Sequence, residues 1–121
     1  AEIAINSYVK SFFNSKKNNN VIVSTRAGNV IGGGDWTENR LIPDCVKSWK
    51  KNKIVKIRNL KSTRPWQHVL DVIYGYLLLG AKAKLDKKLH GESFNFGPDL
   101  KNNFKILDVL KKSKQFWKNI L

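Results

Sequence analysis

The run Val21-Ile22-Val23 leads through Ser24 and Thr25 into Arg26-Ala27-Gly28-Asn29-Val30-Ile31-Gly32-Gly33-Gly34-Asp35-Trp36, and no other stretch limits the fold so sharply. β-Branched residues suit an extended backbone, whereas clustered glycines let the chain turn and come close to a bound group. Such a junction marks a strand that ends in a ligand loop. Its first three positions show no apolar/polar alternation, which predicts a short strand over 21–25 buried on both faces, as in a parallel sheet. A flexible surface loop is the plain alternative, because glycine clusters also punctuate ordinary turns.

Two generic phosphate motifs fail at this loop. A P-loop needs Gly-Lys-Ser/Thr after its glycines, and Gly33-Gly34-Asp35-Trp36 offers an acid and an indole instead. A dinucleotide fingerprint needs a third small residue and an immediate helix, but Glu38-Asn39-Arg40 still follows Thr37.

Around the loop the periodicity alternates between helical and extended. Residues 2–16 read as a helix with Ile3, Ala4, Tyr8, Phe12 and Phe13 along one side, closed by the Lys16 to Asn20 run. Leu41 to Lys50 predicts a second helix that tolerates Pro43 in its first turn. Ile54, Val55 and Ile57 against Lys53, Lys56 and Arg58 predict a short half-buried strand or an extended edge, and Arg58 to Trp66 reads as loop, with Pro65 biasing Arg64 toward an extended form. His68 to Leu85 is the strongest helix, apolar nearly all round until Lys82, so it needs cover on more than one side. Phe94-Asn95-Phe96 predicts a strand closed by Gly97-Pro98, and a last helix begins at Phe104.

The net charge of +14 brings nucleic acid and anionic membrane into view. Its distribution argues against both. Arg26, Arg40, Arg58 and Arg64 sit in the central loops, while the excess is lysine mixed with asparagine, the filler of solvated faces. Cys45 is the only cysteine, which excludes an internal disulfide and a cysteine metal cluster; beside Leu41, Ile42, Val46 and Trp49 it reads as a small core hydrophobe. The longest apolar run, Tyr74 to Ala81, is too short to span a bilayer, and no secretory segment is visible, so the expected setting is cytoplasmic.

With 121 residues the chain has the length of one domain, yet both ends look cut. Helical spacing starts at Ile3 without a capping residue and is still running at Ile120 without a glycine or proline to close it. The expectation is an internal fragment of a longer protein that does not fold stably alone, because its helix at 69–81 leaves apolar surface wet.

Asn29, Asp35, Arg40, Arg64 and Asn95 all fall at or just beyond predicted strand ends, where open α/β sheets bind ligands. Two guanidinium forks and two amides suit a diphosphate and a hydroxylated sugar. Each also has a structural reading: turn satisfaction for Asn29 and Asn95, surface ion pairs for Arg40 and Arg64, a loop brace for Asp35. Trp36 and Trp66 read as core aromatics, and neither His68 nor His90 has a visible catalytic partner. No tyrosine is followed four residues later by lysine, and no Ser/His/acid triad is evident, so no catalytic or metal-ligating residue is assigned.

Arg26 to Trp36, then Arg40-Leu41-Ile42-Pro43-Asp44, Ile57-Arg58-Asn59, Thr63-Arg64-Pro65-Trp66-Gln67-His68-Val69 and Phe94-Asn95-Phe96-Gly97-Pro98 together resemble the CDP-glucose 4,6-dehydratase family. More broadly the sequence is similar to the extended short-chain dehydrogenase/reductase superfamily. The resemblance covers about residues 1–100 and implies a partial NAD(P)-binding Rossmann-like α/β fold with a smaller substrate lobe. Core would lie at about 1–30 and 68–100, and lobe at about 31–67 and 94–121. It implies tightly held NAD, CDP-glucose as substrate, a homo-oligomeric parent, and a Tyr-x-x-x-Lys pair just before Ala1. By position it implies that Asn29 contacts phosphate, Arg40 and Leu41 clasp the nucleotide, Arg64 binds the diphosphate, Asn95 adds a nucleotide contact, and Ile57 and Arg58 flank the cytosine. Ala27, Gly28 and Val30 would pass the nicotinamide through their backbone. An epimerase or another nucleotide-sugar dehydratase is the nearest alternative, and a basic polyanion-binding module is the alternative from another class.

Overall fold

The structure, a computed structural model, describes residues 2–13, 19–99, 101 and 103–117. Its elements run α1 (Glu2–Phe12), β1 (Ser24–Ala27), β2 (Asn29–Ile31), α2 (Leu41–Lys50), β3 (Thr63–His68), α3 (Val69–Leu85), a 3-10 turn (Lys87–Leu89), β4 (Ser93–Phe96), β5 (Asn103–Lys105) and α4 (Ile106–Gln115). Helices alternating with largely parallel strands make this an α/β fold. Two compact units divide the chain, one of Ala1–Gly28 with Leu70–Gly97, the other of Asn29–Val69 with Pro98–Leu121.

In the first unit β1 and β4 pair in parallel, Ser24 opposite Ser93 through Ala27 opposite Phe96. The strand expected over 21–25 is displaced toward polar residues, because β4 offers a ladder only from Ser93 onward. Val21 to Val23 are instead tied by the turn beyond α3. The Ile22 carbonyl accepts the Gly91 N–H at 2.8 Å, and the Ile22 N–H donates to His90 Nδ1 at 3.2 Å. That gives His90 a structural task. Burial on both faces is not reached either, since Thr25 and Arg26 are exposed and Val21, Ile22 and Val23 half-buried.

Helix α1 buries Val9, not the predicted stripe. Ile3 is 86% exposed, and the Tyr8 ring lies tilted with its centroid 4.6 Å from that of Phe12, itself exposed. The expected extension to residue 16 lies outside the described residues. In α3 the buried positions Val72, Leu79 and Ala83 form a single stripe, and Tyr76 meets Phe96 edge-on at 5.1 Å. Leu70, Tyr74 and Leu77 are exposed, so among the described residues the helix is covered on one side where its composition asks for more. It begins at Val69 because His68 completes β3.

The second unit holds the three-stranded sheet β2-β3-β5. β3 lies parallel to β2, with Asn29 opposite Trp66, and antiparallel to β5, with Thr63 opposite Lys105. The predicted loop over Arg58 to Trp66 is therefore half strand, and Pro65 sits inside it. The register explains the tolerance. Ser62 accepts the Ile106 N–H at 2.9 Å, so Arg64 opposite Phe104 is the next hydrogen-bonded pair and Pro65 turns its missing N–H away from β5. By contrast, the predicted strand at 54–58 has no ladder. Ile54 is 91% exposed, while Val55 and Ile57 turn inward.

Helix α2 has the predicted bounds, with Pro43 and Cys45 buried. The last helix starts at Ile106, two residues later than expected, because Phe104 belongs to β5. Its first N–H groups, which no helical carbonyl can reach, donate to Ser62 and Leu60.

Candidate functional site

β2 ends at Ile31 and the chain turns through Gly32, where an added Cβ would lie 2.4 Å from Val69 Cγ1. Only glycine lets the strand exit pack this tightly. Gly34 then adopts φ +84°, a left-handed backbone that favours glycine, and aims the loop back toward α2. Between loop, strands and helix lies a cavity of about 230 Å³. Asn29, Val30, Ile31 and Trp66 line it from the sheet, Gly32 to Trp36 from the loop, and Arg40 to Pro43 with Val46 from the start of α2.

The loop is braced from within. Asp35 accepts the Thr37 N–H at 3.0 Å, and this bond, aided by the Arg40 and Lys47 charges, holds its carboxyl below the usual carboxylate range. Lys47 donates to the Trp36 carbonyl at 2.7 Å, while Lys50 stands 5.1 Å over the Trp36 ring. Trp36 itself is 52% exposed, which overturns its reading as a core aromatic. Asp35 is the loop brace that its structural reading expects.

Among the described residues, Asn29 and Arg40 carry side-chain donors without an internal partner. Arg40 occupies the extended position before α2, is exposed, and makes no ion pair among the described residues. Asn29 is half-buried at the first position of β2. Its register partner Trp66 is half-buried too, and the Trp66 indole N–H is buried with no hydrogen-bond partner among the described residues.

Sequence-predicted residues are gathered unevenly. Asn29, Val30, Arg40 and Leu41 share the cavity. Arg64 lies two positions before Trp66 in β3, hence on the same sheet face, but it is exposed and does not line the cavity. Ile57 lines a second cleft of about 300 Å³ with Cys45, Trp49, Val55, Leu107 and Leu110, and Arg58 is an exposed bend. Asn95, exposed on β4 opposite Arg26, belongs with Ala27 and Gly28 to the first unit. Trp36 and Trp66 are the cavity residues that sequence reasoning missed. The two-residue period from Arg64 to Trp66 was the available signal, hidden by treating the segment as loop.

Cys45 is fully buried on the cleft side of α2. Burial pushes its thiol up to about 11, and the Asp44 carboxylate adds to the shift, so it is no ready nucleophile. Among the described residues no cluster of three or more His, Cys, Asp or Glu is placed to hold a metal ion. No described helix is long and apolar enough to cross a membrane.

Comparison with known proteins now adds to this geometry. In an alignment of 120 residues that covers 97% of this chain, the chain is 38% identical to CDP-glucose 4,6-dehydratase of Salmonella typhimurium, and it spans 33% of that relative. An epimerase structure, Mth375 from Methanothermobacter thermautotrophicus, superposes over 99% of the chain and 34% of its own with a TM-score of 0.69. At 19% identity that likeness concerns the fold alone. The family model described as "NAD dependent epimerase/dehydratase family" matches residues 1–97, and the chain belongs to that family.

Proposed function

We propose that this chain is part of a longer CDP-glucose 4,6-dehydratase, and that the cavity between β2, β3 and α2 receives the diphosphate of the nucleotide sugar. One observation carries the reading. Asn29 and Arg40 bring an amide and a guanidinium to one cavity beside Trp66, with no ion pair for Arg40 among the described residues, in a chain 38% identical to a CDP-glucose 4,6-dehydratase. Unspent donors of this kind suit an anion rich in oxygen.

In the overall reaction CDP-glucose loses water across C5 and C6 and becomes CDP-4-keto-6-deoxyglucose. Bound NAD supplies the hydride acceptor at C4 and the hydride donor at C6. The residues here bind and orient. Arg40 offers a planar fork to phosphate oxygens, Asn29 donates from its amide, and Leu41 packs beside the nucleotide. Arg64 and Asn95 are proposed as outer contacts to the diphosphate and nucleotide, and Arg58 as a neighbour of the cytosine. Ile57, a wall of the apolar cleft, is proposed as the other neighbour of the cytosine.

Toward NAD, the fit is a matter of backbone. Gly28 follows the carboxyl end of β1, is exposed, and has no side chain to hold a flat ring away, although its N–H is engaged by the Phe96 carbonyl at 3.2 Å. Ala27, Gly28 and Val30 would meet the nicotinamide there. No group that moves a proton in the reaction is assigned to this chain. The proposed setting is the cytoplasm, with a second copy of the parent as partner and neither nucleic acid nor membrane.

The test is incubation of the longer parent protein with NAD and CDP-glucose, followed by detection of a 4-keto product. Failure with CDP-glucose alongside turnover of another nucleotide sugar moves the assignment to a sister enzyme. Tight nucleic-acid binding whose log-log salt slope is about 0.9 per neutralised phosphate would favour the polyanion reading.

A further inference from the structure

The second cleft, of about 300 Å³, has a finished floor and an open rim. On the floor Cys45 is fully buried, and Trp49, Val55, Ile57 and Leu110 are half-buried beside it. At the rim Ile54 is 91% exposed, which leaves a β-branched side chain in water next to an apolar hollow. The charged walls are all of one sign. Lys53 comes from the segment after α2, Lys111 and Lys114 come from α4, and each is exposed with no ion pair among the described residues. Asp44 and Asp108, the only acids of α2 and α4, are not among the walls. A lysine can lay its methylene stem along an apolar surface and keep its ammonium in water, so such residues give an apolar hollow a positive mouth. Every wall belongs to the second unit.

We infer that this cleft is a binding site for a small amphipathic anion, an apolar ring system carrying a single carboxylate or sulfonate. Volume and lining set the body. A hollow of about 300 Å³ with mainly apolar walls matches the lower end of small-molecule pockets, and Trp49, tilted against Trp117 with centroids 5.9 Å apart, supplies an aromatic wall to pack on. Charge sets the head group. An anion at the mouth is attracted by three unpaired lysines, whereas a neutral ligand gains burial alone and a cation is repelled. The cleft is separate from the cavity proposed for the diphosphate, since Cys45 and Trp49 of α2 line the one and Leu41 to Pro43 with Val46 the other. Ile57 is the wall it shares with the contacts proposed for the cytosine.

The experiment titrates the longer parent protein, with NAD present at neutral pH, by calorimetry with naphthalenesulfonate, and with naphthol and naphthylmethylammonium as neutral and cationic versions of the same ring system. One double variant, Lys111→Gln with Lys114→Gln, removes charge from the cleft. A second, Lys105→Gln with Lys112→Gln, removes the same charge from lysines that do not line it, Lys112 standing 4.7 Å over the Phe104 ring. The sulfonate is expected to bind one to one, about fivefold or more tighter than naphthol, and to lose about fivefold in the cleft variant against less than about twofold in the other. Excess CDP is expected to leave its Kd unchanged. No measurable binding of the sulfonate, an affinity no greater than that of naphthol or the ammonium, or equal losses in the two double variants overturns the inference. Displacement of the sulfonate by CDP overturns it as well, because the cleft would then be an extension of the nucleotide site. Failure of the parent to turn over CDP-glucose decides against the proposed function alone and leaves the outcome at the cleft standing.

Discussion

Two clefts share helix α2 and differ in nearly everything else. Its first turn, Leu41 to Pro43, faces a cavity whose other walls carry an amide, a guanidinium, two indoles and a glycine loop. Cys45 and Trp49, four residues apart on one stripe, face a cleft floored by Val55, Ile57, Leu107 and Leu110, with Lys53, Lys111 and Lys114 as its charged members. One helix thus separates a place where polar groups wait for a partner from a place where apolar groups already have one. Local helical propensity is indifferent to this division. What sets it is which residues β2, β3 and α4 bring to either side.

The contrast is open to attack, most forcefully at Cys45. Cys45→Asp would put a carboxylate at a fully buried position among the apolar walls of the cleft, and is expected to cost about 2–4 kcal/mol in denaturant unfolding of the parent protein even with lysines at the cleft's edge. A loss below about 1 kcal/mol would mean that the cleft is wet. The thiol itself supplies the next test. Its folded pKa of about 11 lies above the ordinary value of 9, so the proton is held more tightly in the folded state. The corresponding stability is complete below pH 9 and declines as pH rises toward 11, by up to about 1.4 kcal/mol per unit. Cys45→Ala should flatten that decline, and an unchanged profile would remove Cys45 as its source.

On the polar side the expected response is reversed. Arg40→Ala should leave unfolding free energy within about 0.5 kcal/mol of wild type while raising the Kd for CDP-glucose about tenfold. A stability loss without an affinity loss would turn Arg40 into a structural residue. The smallest effect belongs to Asp35→Asn, which keeps an acceptor for the Thr37 N–H at this exposed position and removes the charge. It should change the Kd for CDP-glucose by less than about threefold at neutral pH. In the wild type the same loss of charge is expected only when the pH falls below the usual carboxylate range, since the Thr37 N–H and the nearby cations hold the carboxyl low. A large affinity change in Asp35→Asn would make the carboxylate a ligand contact.

In α2 and α3 the structure agrees with the periodicity that the residues carry. α2 runs from Leu41 to Lys50 as its apolar spacing and tolerated Pro43 predict, and α3 differs by one residue at its start. Elements defined by a partner were less legible. β3 contains Pro65 and Arg64, poor advertisements for a strand, and forms because β2 and β5 each pair with a different half of it. β5 has three residues and no pattern of its own. Val21 to Val23 advertise a strand strongly yet find their partners in a turn, at Gly91 and His90.

The cavity followed the same rule. Asn29, Asp35 and Arg40 could be grouped by their nearness to a strand end, a feature of local order, whereas Val30 and Leu41 were indicated only by the family resemblance. Trp36 could not be placed with them, since an indole in a core and an indole on a rim have the same composition, and Trp66 only by reading its segment as a strand. Exposure of Trp36 and the solitary N–H of Trp66 arise only once sheet, loop and helix are assembled.

Pro65 bears on behaviour in crowded solution. A strand flanked on one side by β5 over Thr63 to Pro65, and by β2 only from Trp66 onward, invites a stray segment to continue the ladder in the remaining gap. An intruder reaching that gap would find a carbonyl but no N–H beside it, and its own zipper would stop after a single rung. The residue that disguises β3 in the sequence thereby discourages unwanted association between chains.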